Sequence, residues 1–114
     1  MIYVIDDDEI MAKCIARACG ADVMICHNAI EAMNKITEGE LPDLIFLDIL
    51  LDGPDGFTFL NEMVSYVDTS QIPVVIVSSL DYTKRDLSTY GVVGCLNKDT
   101  MTPQEIQQYV EKYA

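Results

Sequence analysis

The sequence has no tryptophan, a single histidine, and only seven lysines and arginines against nineteen aspartates and glutamates, for a formal net charge of −12 over 114 residues. So strong a negative balance repels phosphate backbones and anionic lipid surfaces, which argues against direct nucleic-acid or membrane binding. Long apolar runs are missing as well: stretches such as Leu44 to Leu47 fall far below the roughly 18 residues a membrane-spanning helix needs. The opening Met1-Ile2-Tyr3-Val4-Ile5 lacks the basic start and long apolar stretch of a secretion signal and runs into Asp6-Asp7-Asp8-Glu9, so a cytoplasmic location is expected. None of Cys14, Cys19, Cys26 and Cys95 stands at a Cys-x-x-Cys spacing, and His27 is the sole imidazole, which excludes a zinc-type ligand set. Reduced, mostly buried thiols are expected.

What is present is enough for one packed domain, since half of the residues are apolar. Short apolar runs at Ile2 to Ile5, Asp22 to Cys26, Asp43 to Leu47, Ile72 to Val77 and Val92 to Leu96 predict strands, and their run-like patterning predicts burial on both faces. Between them, Met11, Cys14, Ile15 and Ala18 fall at helical spacing, as do Ile30, Met33 and Ile36, then Leu60, Met63, Val64 and Val67. A last stripe of Ile106, Tyr109, Val110 and Tyr113 follows Thr102-Pro103-Gln104-Glu105, an N-cap, a proline at the first helical position and a capping-box glutamate. Asn28 and Glu31 repeat that start chemistry, and Gly20, Gly39 and Gly91 stand where helices should stop. Asp81 to Tyr90 is weakly patterned. Five strands alternating with five helices, joined by connections too short for hairpins, predict an α/β fold of three layers around a parallel sheet with right-handed crossovers.

In an open parallel sheet the functional crevice lies beyond the carboxyl ends of the strands. The residues there are Asp6 and Asp7 after the first run, Asp48 after the third, Ser78 after the fourth and Lys98 just after the fifth. Three carboxylates brought together repel one another unless a divalent cation neutralises them. Mg²⁺ suits such a set, because it prefers a few carboxylates together with waters and phosphoryl oxygens. An aspartate oxygen can also act as a nucleophile towards phosphorus.

This ordered set, with Gly56 eight residues beyond Asp48, resembles the receiver domains of two-component response regulators over essentially the whole chain. The resemblance implies a flavodoxin-like receiver fold with strand order 2-1-3-4-5 and one receiver domain over residues 1–114 with no output domain. It implies that Asp48 accepts a phosphoryl group from a phosphohistidine on a sensor histidine kinase or phosphotransfer protein. Asp6, Asp7, Asp48 and the backbone carbonyl of Leu50 would hold Mg²⁺, Lys98 would pair with the phosphoryl oxygens, and Ser78 would swing towards them. The protein would then be a phosphoacceptor that catalyses only its own phosphoryl transfer and dephosphorylation. Its signal would pass to a downstream effector protein through a surface made by the fourth helix, fifth strand and last helix, with a homodimer as one outcome of activation.

The chain also departs from that family. Cys95 stands where a tyrosine or phenylalanine is usual, three residues before the lysine, so the aromatic half of the switch is missing. Asp99 replaces the cis proline that usually follows the lysine, and a trans Lys98–Asp99 bond is expected because a non-proline cis bond costs about 2.5–4 kcal/mol. Asp52 replaces a common proline, and Leu50 and Leu80 place apolar groups beside the path of attacking water, which predicts slow hydrolysis. The alternative reading is a pseudo-receiver, a protein-interaction module that works without phosphate; Cys95 and Asp99 favour it, and the complete acceptor set opposes it. An aspartate-nucleophile phosphatase would need an acid or base at position 50, and an EF-hand loop would need an oxygen ligand there; leucine offers neither. His27 reads as a surface turn residue and the six methionines as core filler.

Overall fold

The computed structural model describes residues 1–20, 22–51, 55–80 and 87–114. Runs rich in branched residues form β1 (Ile2–Ile5), β2 (Val23–Cys26), β3 (Leu44–Asp48), β4 (Val74–Ser78) and β5 (Val92–Asn97). All pair in parallel, in the order β2-β1-β3-β4-β5. Pro73 has no N–H for a ladder, and β4 accordingly begins at Val74, two residues after the expected Ile72. The three central strands β1, β3 and β4 are buried along their whole length, whereas the edge strands β2 and β5 are only partly covered.

Alternation along the strands divides the core in two. Ile2, Val4, Leu44, Phe46, Val75 and Val77 point to one face, where helices α1 (Glu9–Cys19) and α4 (Pro103–Tyr113) bring Ala12, Ile15, Cys19 and Ile106. Tyr3, Ile5, Ile45, Leu47, Val74 and Ile76 point to the other, where α2 (Ala29–Thr37) and α3 (Gly56–Val64) bring Ala32, Ile36, Phe59, Leu60 and Met63. The result is the expected three-layer sandwich. Each fully buried aliphatic or aromatic side chain contributes about 1.5–3 kcal/mol of transfer free energy, so these two clusters carry most of the stabilisation.

Helix starts follow their capping residues. Asp8 accepts the N–H groups of Ile10 and Met11, Asn28 that of Glu31, Asp55 that of Thr58, and Thr102 closes a reciprocal capping box with Glu105. Gly20, Gly39 and Gly91 take φ of 62°, 92° and 78°, a backbone region that side chains with a Cβ rarely enter, and they end their elements as expected. No cis peptide occurs among the described residues, so Lys98–Asp99 is trans.

Some expectations are corrected. The described residues hold four α-helices, not five: between β4 and β5 they form only a 3₁₀ turn at Ser88–Tyr90, in the stretch that lacks an apolar stripe, while 81–86 lie outside the described residues. Ile30 is exposed because the small Ala29 and Ala32 turn to the sheet in its place. Val67 is also exposed, since α3 stops at Val64 with Ser65 as its cap. Of the thiols, only Cys19 and Cys26 are buried, and burial pushes both up to about 11; Cys14 is exposed and Cys95 half-buried. Among the methionines only Met63 is fully buried. His27 is a surface residue whose ring lies 3.6 Å from Glu31.

Gly56 opens α3 directly against the end of β3, and its N–H donates to the carbonyl of Ile49 at 2.9 Å. A Cβ there would sit 2.7 Å from Ile49 Cα and 2.9 Å from the Asp48 carbonyl oxygen, both backbone atoms that cannot turn aside. Gly56→Ala is therefore expected to destabilise the fold by about 1–3 kcal/mol through overpacking. Urea unfolding checks this, and an unchanged midpoint would mean that the β3–α3 connection yields at no cost.

Candidate functional site

The carboxyl ends of β1, β3, β4 and β5 deliver the strand-end residues to one edge of the sheet. Asp6 follows β1 and is held by its neighbour: its Oδ1 accepts the Asp8 N–H at 2.9 Å, while Asp8 Oδ1 accepts from Ile10 and Met11. The α1 cap thus fixes the Asp6 carboxylate. Asp48 ends β3, and its Oδ1 accepts the Leu50 N–H at 3.1 Å. Ser78 ends β4, with its Oγ accepting the Leu80 N–H at 3.1 Å and its carbonyl accepting the Lys98 N–H at 3.1 Å.

Lys98 closes the site. Its Nζ donates to Asp48 Oδ2 at 2.9 Å and stands 3.1 Å from Asp6 Oδ2. The side chains involved are almost shut off from solvent, with relative exposures of 1% for Asp6, 4% for Asp48 and 16% for Lys98. Burial raises the pKa of Asp6, against the opposing pull of the Asp8 N–H and the Lys98 ammonium. For Lys98, burial alone would lower the pKa, but its hydrogen bond to Asp48 and the nearby negative charges of Asp48 and Asp6 outweigh that and raise it.

One ammonium does not balance the acids gathered here. Asp6, Asp7 and Asp48 each offer a carboxylate oxygen, and these oxygens lie within 4.8 Å of one another. Asp6 Oδ2 is buried and accepts no hydrogen bond, because Lys98 lies at ion-pair distance but out of alignment. A buried anionic oxygen without a donor is costly, and hard oxygen donors this close fit a small divalent cation such as Mg²⁺. The sequence-predicted residues Asp6, Asp7, Asp48 and Lys98 are therefore brought together, with Ser78 tied to Lys98 through the backbone. Leu50 joins through its N–H, and its side chain is exposed. Asp52 lies outside the described residues.

Cys95 is more distant from this chemistry. On β5 it pairs in register with Ile76 of β4, and it packs against the core on the α2–α3 side. On the opposite face Tyr109 of α4 lies over Gly94, where a Cβ would fall 1.9 Å from the Tyr109 hydroxyl. The positioning role of Asp8 was not foreseen in the sequence; the signal was an aspartate just before the first helical stripe, an N-cap pattern.

A flavodoxin-like α/β domain with a lysine-paired acidic pocket at its strand ends is the class these features define. The family model for the response regulator receiver domain matches residues 2–111, and the chain belongs to that family of two-component systems. Response regulator PleD of Caulobacter vibrioides is 30% identical over 82 residues, covering 70% of this chain and 18% of PleD. A protein-glutamate methylesterase/protein-glutamine glutaminase of Chromobacterium violaceum is 32% identical over 92 residues, covering 76% of this chain and 25% of that protein. The chain thus spans a quarter or less of these relatives. Among solved structures, the receiver domain of NtrX from Brucella abortus superimposes with a TM-score of 0.83 at 24% identity, covering 99% of this chain and 97% of that one. A response regulator from Chloroflexus aurantiacus J-10-fl gives 0.83 at 26% identity, covering 98% and 94%. No helix among the described residues is long and apolar enough to cross a membrane.

The electrostatics predict opposite signs for two substitutions. Lys98→Ala leaves the buried carboxylates uncompensated and is expected to destabilise by about 2–4 kcal/mol without divalent cations. Asp6→Asn relieves the repulsion and is expected to stabilise. Because the folded-state pKa of Asp6 is raised, its ionisation opposes folding above the ordinary carboxylate range, so the Asp6→Asn gain should be present at neutral pH and vanish in acid. Urea titrations of both variants at pH 3.5 and 7 check this; a destabilised Asp6→Asn at pH 7 would contradict it.

Proposed function

We propose that the protein is a phosphoryl-accepting receiver domain in which Asp48 is the acceptor. The observation that carries the reading is the Lys98 ammonium held between Asp48 and Asp6 beside the acidic cluster. A carboxylate oxygen of Asp48 attacks the phosphorus of a phosphohistidine, a P–O bond forms, the P–N bond breaks, and the imidazole leaves with its electron pair. Asp6, Asp7, Asp48 and the Leu50 carbonyl are the groups that would hold Mg²⁺. Bound there, the ion would neutralise charge on the transferring phosphoryl oxygens.

The chain's own groups do the rest. Lys98, already directed at Asp48, turns its point charge to the new phosphoryl oxygens. Ser78 Oγ now accepts from Leu80, which leaves its own hydroxyl proton available to donate. Drawing Ser78 towards the phosphoryl group moves the Ser78–Lys98 backbone link, and with it the β5–α4 face that an effector protein would read. The donor is a sensor histidine kinase or a phosphotransfer protein. The unit proposed is a receiver domain acting as a monomer or as a homodimer formed on activation. Cys95 in the aromatic position favours a second reading, a pseudo-receiver that binds its partner without phosphate.

Intact-mass spectrometry with a small acyl phosphate and Mg²⁺ tests the choice. One added phosphoryl group is expected, lost in Asp48→Ala and in excess chelator. No adduct at saturating donor and Mg²⁺ would instead establish the pseudo-receiver.

Leu50 and Leu80 both present exposed apolar side chains two residues beyond Asp48 and Ser78. They shield the acyl phosphate from water, so its lifetime is expected to exceed that of an unhindered acyl phosphate in the same buffer, and Leu80→Gln should shorten it. Decay of the adduct mass over time reads both, and a wild-type lifetime much shorter than the small-molecule reference would refute the shielding.

A further inference from the structure

The stretch that carries Lys98 from β5 into α4 is organised around a single residue. Asn97 is the last residue of β5, in register with Ser78. Its Oδ1 accepts the Asp99 N–H at 2.8 Å, and its carbonyl accepts the N–H of Met101 at 2.8 Å and that of Thr100 at 3.3 Å. Lys98 is enclosed in that turn, and its own N–H is taken by the Ser78 carbonyl at 3.1 Å. One residue beyond Met101, Thr102 caps α4, so the turn passes into the helix with no slack. Out of this frame the Lys98 side chain reaches Asp48 and Asp6.

We propose that Asn97 is a positioning residue for Lys98, closing an Asx turn that sets the direction from which the ammonium enters the acidic pocket. Residue chemistry supports it. Asparagine and aspartate have the reach to accept an N–H two residues on, alanine has no acceptor, and glutamine is one methylene too long for the same ring. The donor matters equally: a proline at position 99 would offer no N–H, so Asn97 and Asp99 work as a pair. Asn97 is exposed and outside both core clusters, so its replacement leaves the packing intact. What Lys98 finally contacts rests on the function proposed above, but the geometry of the turn does not.

Lysine acylation by an N-hydroxysuccinimide acetate, followed residue by residue with peptide mass spectrometry, reads the position of the ammonium directly. Lys13 and Lys112, on the surface of α1 and α4, serve as internal references. In Asn97→Ala and Asn97→Gln the Lys98 rate is expected to rise roughly three- to tenfold, the range set by one hydrogen bond of ordinary net strength. Asn97→Asp should keep the wild-type rate, the reference lysines should not move in any variant, and the urea midpoint should fall by no more than the loss of that one hydrogen bond accounts for. Unchanged Lys98 rates in the alanine and glutamine variants, or an aspartate variant as reactive as alanine, would overturn the proposal. Phosphorylation by the small acyl phosphate should slow in the same two variants and recover in the aspartate one. If the wild type accepts no phosphoryl group, that outcome removes the proposed function, while the acylation rates still decide the turn.

Discussion

Mutual repulsion among the strand-end carboxylates, opposed by one ammonium, is the constraint around which this site is arranged. Asp6 and Asp48 are nearly sealed from solvent, where a carboxylate loses its hydration, and both lean on Lys98 at 3.1 and 2.9 Å. Balance is incomplete: Asp7 adds a further carboxylate to the cluster, and Asp6 Oδ2 accepts no hydrogen bond. A pocket left this negative favours whatever brings positive charge into it. That bias links the stability of the fold to the ligand chemistry of the site.

The backbone around the pocket serves to keep those charges from moving apart. Asp8 caps α1 and grips Asp6 with the same loop, so helix start and site share one set of hydrogen bonds. Gly56 lets α3 begin against the Asp48 carbonyl, at a distance no side chain would tolerate. The Ser78 carbonyl takes the Lys98 N–H, so the hydroxyl and the ammonium belong to one mechanical unit. A change in the position of Ser78 is therefore felt at β5, although Cys95 supplies no ring to report it. On the other face of that strand Tyr109 fills the space over Gly94, so an aromatic group does touch β5, from α4.

Much of this was legible in the sequence. Five apolar runs, two capping signatures and the helix-stopping glycines depend on local patterning, which a chain displays before it folds, and the structure places them at or within a residue or two of the expected positions. Where local reading failed, the reason was tertiary. Ile30 was expected inside on spacing, but Ala29 and Ala32 face the sheet and turn Ile30 away from it. Ser65 ends α3 before Val67 can join its stripe. A fifth helix was inferred from the alternation of elements, and the weakly patterned stretch before β5 yields only a 3₁₀ turn among its described residues.

By itself the sequence determined the fold class and the candidate residues, because hydrophobic period and strand-end position are properties of neighbouring residues, and parallel strands must present their ends at one edge. It could not determine which of those residues touch. Lys98 and Asp48 are separated by 50 positions, and their contact depends on the sheet order that sets β4 between β3 and β5 and on the register that pairs Ser78 with Asn97. Distances of three ångströms between charges arise from that arrangement, and so does the burial that makes them matter. Only the packed sheet, which removes water from Asp6 and Asp48, turns a set of acidic residues into a site with a defined electrostatic demand.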